Sequence, residues 1–538
     1  MKKIISLVLC LMLAACMVTC ASAEGKTLNV AWHNDIECLD VHLTTNDYQI
    51  PLNVYDRLFE IAINDEGSAE LQNSLVADYS VSDDGLVFSF TLRDDVLFSD
   101  GTKLTADDVA YSLTRMVAIE ASEQEYLFEC VAGYEEFTGS GNYHDAYLTG
   151  ITVESDTQFT ITLSKPYAGF LNILASPACC IYSKAACEAA GDAFATDYTY
   201  AIGSGPYVVT SWTRDAGMTL ALNPYYWGEK PDFDEVNCQI IPSADTMSMM
   251  FQAGEIDILD CDYLDAAVVA AQYKTMYADK MVASNRLGSS YMALNANIGA
   301  TADPVARKAI QMCIDRQLII DTILNGDAVL MDGIYPKGLV GYTEDNQGWL
   351  TYDVAAAQAM LEEAGYTKDA DGYYFDLVID NDEDNSSSRK LTIEAIAEQL
   401  NAAGIRCTIE NNDHSSWLAK RRAGEIQAYV STWTADYNDP DNFIATFWGS
   451  EEATLGRSLC YGDTDVMARV SAAPAITDET ERLTEYAALE KKIVEEDASW
   501  VPLYVQEHLF VVSSNISTFV PHWAGYSDFM FNTVYAAD

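Results

Sequence analysis

Strand and helix patterns alternate along most of this chain. Thr27–Trp32 is a short apolar run typical of a buried strand, and Val87–Leu92 alternates apolar and polar residues as a half-buried strand does. Thr105 stands at the N-cap position of an amphipathic helix that follows this second strand. Helical spacing, with a glycine near its end, recurs in the segments 305–323, 354–364 and 391–403. This alternation predicts an α/β fold.

The length of the chain sets the number of domains. At 538 residues it exceeds the size at which a single hydrophobic core keeps growing, so two or three domains are expected. Hydrophobic residues make up 49% of the sequence and aromatic residues 11%. This composition supplies packed cores and excludes a generally disordered chain.

The sequence is strongly acidic. Asp and Glu number 82 against 30 Lys and Arg, which gives a formal net charge of −52. A surface of this sign repels phosphate backbones, so it argues against a nucleic-acid partner. The charge does not distinguish an enzyme from a binding protein, because acidity also keeps a protein in solution.

The N-terminus predicts export. Two lysines precede an apolar run at 4–18 that is too short to span a bilayer, and residues 1–23 read as a signal peptide. Two processing points compete: Leu-Ala-Ala-Cys resembles a lipobox in which Cys16 would be lipidated, and Ala-Ser-Ala at 21–23 fits signal-peptidase cleavage before Glu24. We therefore expect a periplasmic or cell-surface protein, either free or lipid-anchored.

Cysteine usage points to no metal or redox site. Ten cysteines remain after the signal peptide, and none forms a Cys-x-x-Cys pair. Export permits disulfides, yet a chain of this length does not need them for stability. Buried free thiols are the favoured interpretation.

Motifs of catalysis and metal binding are also missing. The sequence has no Gly-x-Ser-x-Gly elbow, His-Glu-x-x-His helix or Walker loop, and its six histidines are scattered. Asp380, Asp382 and Asp384 are spaced as in a calcium loop, but Asn385 replaces the turn glycine and Leu391 the bidentate glutamate. We interpret this stretch as a solvated acidic loop, and expect no cofactor and no enzyme activity. A secreted hydrolase stays open as an alternative, since fold alone does not exclude activity.

Long sequence blocks from about residue 27 to the C-terminus carry a resemblance to a known family. The most characteristic is 81–109, which contains VSDDG, FTLR and FSDGTKLTADDV. Further blocks follow in the same order: GSGPY at 203–207, NPYYW at 223–227, GEID at 254–257, RKAI at 307–310, AGY at 364–366 and WTADYNDP at 433–440. In these blocks the chain resembles the extracellular solute-binding proteins of family 5, which include the oligopeptide- and dipeptide-binding proteins of ABC importers. Taken by themselves, the glycines and Pro206 read as backbone punctuation and Trp227 as a packing anchor.

The resemblance implies a two-lobed α/β fold of the periplasmic-binding-protein type (type II, cluster C). Lobe I would comprise 24–285 and 505–538, with an extra subdomain at about 61–190. Lobe II would be the insert 286–504. The chain would cross between the lobes at 287–295 and 500–506, two apolar extended runs on which a monomer could close over its ligand.

The resemblance also implies a ligand site. In peptide-binding members the aspartate of the Trp-x-x-Asp motif pairs with the α-ammonium group of the ligand, and Trp433 and Asp436 keep that spacing, with Tyr437 beside them. Asp439 and Pro440 are interpreted separately, as the cap and first residue of a helix.

Recognition of the ligand carboxylate is less defined. Arg389 lies in the segment where related binders present a basic residue to the cleft, and a guanidinium would suit a carboxylate. A solvated arginine at a helix start is the equal alternative. Asn46 and Asp47 fall in another pocket-lining loop without matching a specific residue of the family.

The expected function is capture of a short peptide for delivery to the permease subunits of an ABC importer. The family also takes up nickel chelates, haem, sugars and opines, so a non-peptide ligand is the main alternative. The length and sequence of the peptide stay open.

Overall fold

Strands are distributed along the whole described chain. The computed structural model describes residues 25–45, 47–64, 69–264, 268–524 and 530–537. The strands are, in chain order, β1 (Thr27–Trp32), β2 (Phe59–Ile63), β3 (Ala69–Asn73), β4 (Val76–Val81), β5 (Val87–Leu92), β6 (Ile151–Val153), β7 (Gln158–Thr162), β8 (Tyr207–Thr213), β9 (Gly217–Leu222), β10 (Glu235–Ile240), β11 (Ile258–Asp260), β12 (Met281–Asn285), β13 (Gly288–Leu294), β14 (Ala328–Leu330), β15 (Phe375–Asp382), β16 (Ile405–Asn412), β17 (Ala428–Thr434), β18 (Trp500–Val512), β19 (Ile516–Phe519) and β20 (Val534–Ala536).

Helices lie between the strands, and most are short. They are α1 (Pro51–Val54), α2 (Ala106–Ala118), α3 (Tyr134–Phe137), α4 (Phe170–Ile173), α5 (Lys184–Ala190), α6 (Ala244–Ala253), α7 (Lys274–Met276), α8 (Pro304–Met312), α9 (Arg316–Thr322), α10 (Val354–Glu363), α11 (Ser387–Ala402), α12 (His414–Arg422), α13 (Pro440–Trp448), α14 (Glu451–Gly456), α15 (Thr464–Ala472) and α16 (Glu479–Lys491). The predicted α/β class is confirmed.

The largest sheet of the described residues joins twelve strands through β18. Its order is β16-β15-β17-β13-β18-β11-β1-β10-β9-β8, with β12 and β14 also paired to β18. The first part of β18 pairs with β13 and β14, and its last part with β11 and β12. It is buried throughout except at Gln506 and Glu507, where its neighbours change. β18 therefore joins the two halves of the sheet.

The neighbouring strand β13 is buried on both faces. Its seven residues are all buried, and the last four alternate between two separate hydrophobic clusters. Tyr291 and Ala293 join one cluster, whereas Met292 and Leu294 join the other, as the two-residue period of a strand requires. Tyr291 stacks on Trp500 of β18 with ring centroids 4.0 Å apart. The sheet thus has packed cores on both faces at this point.

A smaller sheet packs on α2. Its strand order is β4-β5-β7-β6, and its apolar face shares a core with the helix. Thr105 and Asp108 form a reciprocal capping box at the helix start, as the sequence predicts for Thr105. Tyr437, from far along the chain, also belongs to this core. This small sheet is therefore packed against the segment that follows β17.

The glycine-rich block 203–207 has a packing role. A Cβ at Gly203 would collide with the carbonyl oxygen of Val54, so only glycine fits. Trp227 donates its indole N–H to Asp56 at 2.8 Å and stacks under Arg93. Both observations agree with the structural roles predicted for this block and for Trp227.

The single helix predicted at 305–323 is wrong, because two helices occupy the segment. The break lies at 313–315, where Asp315 caps α9 by accepting a hydrogen bond from the Leu318 amide. The guanidinium of Arg316 donates to the carbonyl oxygens of Met331 and Leu350 at 2.6 and 2.8 Å. These long-range bonds fix the direction of α9, and a local pattern does not reveal them.

Two further sequence interpretations concern cysteines and membrane segments. The ten cysteines of the described part are all free, and nine are buried, which confirms the expectation of buried thiols. No described helix combines the length and apolar character of a membrane crossing. The predicted crossings at 287–295 and 500–506 fall on β13 and the first part of β18. The division into two lobes stays a prediction.

Candidate functional site

The candidate site lies where three parallel strands end. β15 runs parallel to both β16 and β17, so the carboxyl ends of all three meet at one edge of the sheet. In open α/β sheets this edge is the usual place for a ligand. The residues that follow these ends start α11, start α12, and form the segment 435–439.

Asp436 is held by neutral groups. It is half-buried, and Asn442 binds it twice: the side-chain amide of Asn442 donates to Oδ2 at 2.9 Å, and its oxygen accepts from the Asp436 amide at 3.0 Å. The Tyr126 hydroxyl also donates to the carboxylate. Burial raises the pKa of Asp436 above its usual value, against these hydrogen bonds. No described side chain forms an ion pair with it.

Trp433 and Tyr437 flank Asp436 in different ways. The Trp433 indole N–H donates to the Asn442 side chain at 3.3 Å, and its half-buried ring packs edge-on against Phe447. Tyr437 is buried, and its hydroxyl lies 2.9 Å from that of Tyr167. Trp433 therefore forms the wall of the site, whereas Tyr437 anchors the segment to the small sheet and its helices.

A cavity of about 410 Å³ adjoins this wall. Tyr126, Lys165 and Tyr167 line it from the part of the chain before β8. Tyr437, Asp441 and Asn442 line it from the start of α13. Because Tyr126 and Asn442 also bind Asp436, the cavity lies next to the carboxylate.

Asp439 and Asp441 serve the start of α13. Asp439 accepts from the Asp441 amide, so the predicted cap and the predicted opening of the helix at Pro440 are confirmed. Asp439 also forms a fully buried ion pair with Arg482 at 2.8 Å, which the sequence did not indicate. Asp441 accepts from Tyr167 at 2.5 Å and from Tyr486 at 3.2 Å, and burial raises its pKa to about 6.

Arg389 reaches the same edge from the first turn of α11. Its guanidinium donates to Asn385 at 2.8 Å and to Thr432 of β17 at 3.2 Å, and it is half-buried. No described carboxylate forms an ion pair with it. Arg389 thus lies against β17 rather than free in solvent. The residue that it contacts there, Thr432, directly precedes Trp433.

The other predicted site residues are placed less directly. Asp47 accepts a hydrogen bond from the Glu37 amide at 2.9 Å, and burial raises its pKa. Asn46 and Cys16, the predicted lipidation site, lie outside the described residues. Their predicted roles, and that of Asp47, stay predictions.

The interpretation of 380–384 as a solvated loop is wrong for its first two aspartates. Asp380 and Asp382 belong to β15 and are buried, because Lys420 and His414 cover them at 3.2 and 2.7 Å. Asp382, Asp384 and His414 converge closely enough to share a metal ion, as do Asp260, Asp262 and His508. In the second group Arg286 pairs with Asp262, so a guanidinium already neutralises that carboxylate.

Two residues of the site were not found from the sequence. Asn442 was within reach, since it lies two residues after the block that contains Asp436 and its amide suits a carboxylate. Tyr126 belongs to a distant segment and has no local signal that relates it to Asp436. Only the packing of the small sheet and its helices against the start of α13 brings it there.

Comparison with known families agrees with this geometry. Residues 70–454 match the profile described as bacterial extracellular solute-binding proteins, family 5 (Middle). The chain belongs to this family. It is therefore a solute-binding protein of the kind that serves ABC importers, and the resemblance seen in the sequence is confirmed.

Curated relatives of this family 5 protein cover almost its whole length. The dipeptide-binding protein of Escherichia coli (strain K12) is 28% identical over 489 residues, 87% of this chain and 88% of that protein. A probable D,D-dipeptide-binding periplasmic protein, DdpA, of the same organism is 26% identical over 505 residues, 93% of this chain and 90% of that protein. A glutathione-binding protein, GsiB, of Salmonella paratyphi A is 25% identical over 519 residues, 94% of both.

Solved structures show the fold. NikA from Brucella suis, in complex with Fe(III)-EDTA, superposes with a TM-score of 0.82 at 23% identity over 95% of this chain and all of NikA. DppA from Helicobacter pylori, in complex with the peptide STSA, gives 0.72 at 25% identity over 97% of this chain and all of DppA. The family 5 protein has the type II periplasmic-binding-protein fold, as expected.

Proposed function

We propose that this protein is the substrate-binding component of an ABC importer that captures short peptides between two lobes and delivers them to membrane permease subunits. The observation that carries the proposal is Asp436, a half-buried carboxylate with neutral donors and no ion-pair partner among the described residues. A ligand ammonium group would neutralise it when the cleft closes. Curated relatives named for dipeptides and glutathione support a peptide ligand.

Arg389 would receive the other end of the peptide. Its guanidinium donates hydrogen bonds to Asn385 and Thr432. Both acceptors are neutral, so the positive charge and the remaining N–H donors are available to an anion. A free peptide carries one ammonium and one carboxylate group, which fits Asp436 and Arg389 together. Asp47 and Asn46 complete the proposed lining from the loop after β1.

The proposed place of action follows from the N-terminus. Export through the signal at 1–23 would put the protein in the periplasm or at the cell surface, with Cys16 as its lipid anchor if the lipobox is used. The protein would act there as a monomer. It would bind its ligand through Asp436 and release the same molecule, without catalysing a reaction. The mass of the mature N-terminus decides between the two processing points.

Native mass spectrometry of the protein as purified, compared with the unfolded chain, tests the ligand class. We expect a mass released on unfolding that fragments as a short peptide. A nickel chelate, haem, sugar or opine in its place would contradict the peptide assignment. Incubation with a mixed dipeptide library then tests for chemistry, because products of hydrolysis would contradict a pure binding role.

A further inference from the structure

Arg457 lies over the wall of the candidate site. Its guanidinium carbon is 4.8 Å from the ring centre of Trp433 and 5.2 Å from that of Phe447. The side chain is half-buried, and its backbone oxygen is fixed by the Tyr429 hydroxyl at 2.9 Å. Its charge also acts on Asp436, whose pKa it lowers. Arg457 is therefore positioned beside the proposed ammonium site.

A second guanidinium lies close to the first. Arg421 packs over Trp417 at 5.3 Å, and its Nε is buried without a hydrogen-bond acceptor among the described residues. Burial and the charge of Arg457 both lower the pKa of Arg421. Two repelling cations at one place cost stability, so an anion between or beside them would relieve the repulsion.

No carboxylate of the described residues meets this pair. Among the described residues neither Arg421 nor Arg457 forms an ion pair. Elsewhere the acidic chain does supply partners, since Arg316 pairs with Asp332 at 2.7 Å and Arg482 with Asp439 at 2.8 Å. A chain with 82 acidic residues that leaves two half-buried arginines without one indicates that their anion comes from outside.

We propose that Arg457, supported by Arg421, binds a carboxylate on the side chain of the first or second residue of a peptide ligand. This rests on the proposed function, in which Asp436 and Arg389 take the two ends of the peptide. Hydrogen bonds link Asp436 through Asn442 to Trp433, and Arg457 lies over the ring of Trp433. The substrate class is therefore short peptides with an acidic residue at or next to the N-terminus.

Calorimetric titration of the mature protein with matched tripeptides tests this. The peptides are Glu-Ala-Ala against Gln-Ala-Ala, and Ala-Glu-Ala against Ala-Gln-Ala. We expect one acidic peptide to bind about tenfold more tightly than its amide partner, as a charged hydrogen bond would give. Arg457→Gln should abolish that ratio.

Arg422→Gln is the matched control, because Arg422 is exposed and adjacent to Arg421 in the sequence. It should keep the ratio of the unmutated protein. The midpoint of thermal unfolding without ligand is a second readout: Arg457→Gln should remain folded at the temperature of the titration, so that a lost ratio reports a lost contact with the peptide rather than loss of the fold.

The outcomes separate the two proposals. If neither these tripeptides nor dipeptides bind, the proposed function fails and this assignment fails with it. If tripeptides bind with equal affinity for acid and amide, or if Arg457→Gln keeps the ratio, only the assignment of Arg457 is overturned.

Discussion

Asp436 is the residue on which the choice of ligand depends. Replacement by asparagine keeps the shape and the contact with Asn442 but removes the charge, so a bound ammonium group would lose its partner. Truncating one member of a buried ion pair typically costs about 3–5 kcal/mol, which is more than about a hundredfold in affinity. We expect this loss for Asp436→Asn with a free dipeptide, measured by isothermal titration.

The same titration with an N-acetylated dipeptide gives the control. Blocking the amine should weaken binding to the unmutated protein by a similar amount, and the two losses should not add, because each removes the same interaction. Equal affinity for free and acetylated peptides would contradict the role of Asp436 and favour a non-peptide ligand.

Arg482 allows a test of stability at a single residue. Its pair with Asp439 is fully buried, so Arg482→Met would leave an uncompensated carboxylate at the start of α13. We expect the free energy of unfolding to fall by about 3–5 kcal/mol in urea titrations. Arg469→Met is the matched control: its pair with Glu485 is partly exposed and should contribute at most about 1 kcal/mol. Similar losses for the two variants would show that burial of the pair does not matter.

Asp441 lies where three elements meet, and its burial among them changes the pH at which it ionises. It lies in α13, and it accepts hydrogen bonds from Tyr167 just before α4 and from Tyr486 of α16. Burial raises its pKa from 3.8 to about 6. The folded state therefore binds the proton more tightly than the unfolded chain. Ionisation of Asp441 lowers stability progressively between about pH 4 and pH 6, and the full loss remains above pH 6.

We compare the free energy of unfolding of the unmutated protein with that of Asp441→Asn. The value for the unmutated protein minus that for the variant should fall as the pH rises from about 4 to about 6, by up to about 1.4 kcal/mol per pH unit. Urea unfolding at several pH values measures it. Asp145→Asn, an exposed change in a loop, serves as the control for the removal of one carboxylate. A difference that stays constant with pH would refute the assignment.

Elements whose signals are local could be predicted from the sequence. β1 and β5 have the predicted bounds, because their apolar runs and alternation are complete within six residues. The break between α8 and α9 could not be predicted, since it depends on carbonyl groups that Arg316 reaches across the fold.

The same distinction applies to the candidate site. Trp433 and Asp436 share one short block and could be inferred together, whereas Asn442, two residues beyond that block, was missed. Tyr126 and Arg457 come from other segments, so only the folded chain places them beside Asp436. The burial of Asp380 and Asp382 likewise depends on α12, which the spacing of the aspartates does not predict.

At the scale of the whole molecule, we expect binding to change the shape. If the two predicted lobes close on β13 and β18, ligand should lower the radius of gyration in small-angle X-ray scattering and shield Trp433 from an external quencher. Asp436→Asn with the same ligand concentration is the control and should stay open. An unchanged radius and unchanged quenching at saturation would contradict a closing clamp.

The buried thiols have a consequence for how the protein can be handled. Burial raises the pKa of the Cys38 and Cys180 thiols to about 11, so almost none of either is the reactive thiolate at neutral pH. The native fold thus shields nine of the ten described cysteines from reagents. Cys460, which is only half-buried, gives the background level of labelling. Alkylation by a maleimide dye would record each opening event as a permanent mark. In a sample treated with the dye, the labelled fraction at each buried cysteine therefore measures how many molecules have opened there, and mass spectrometry can determine that fraction for each cysteine.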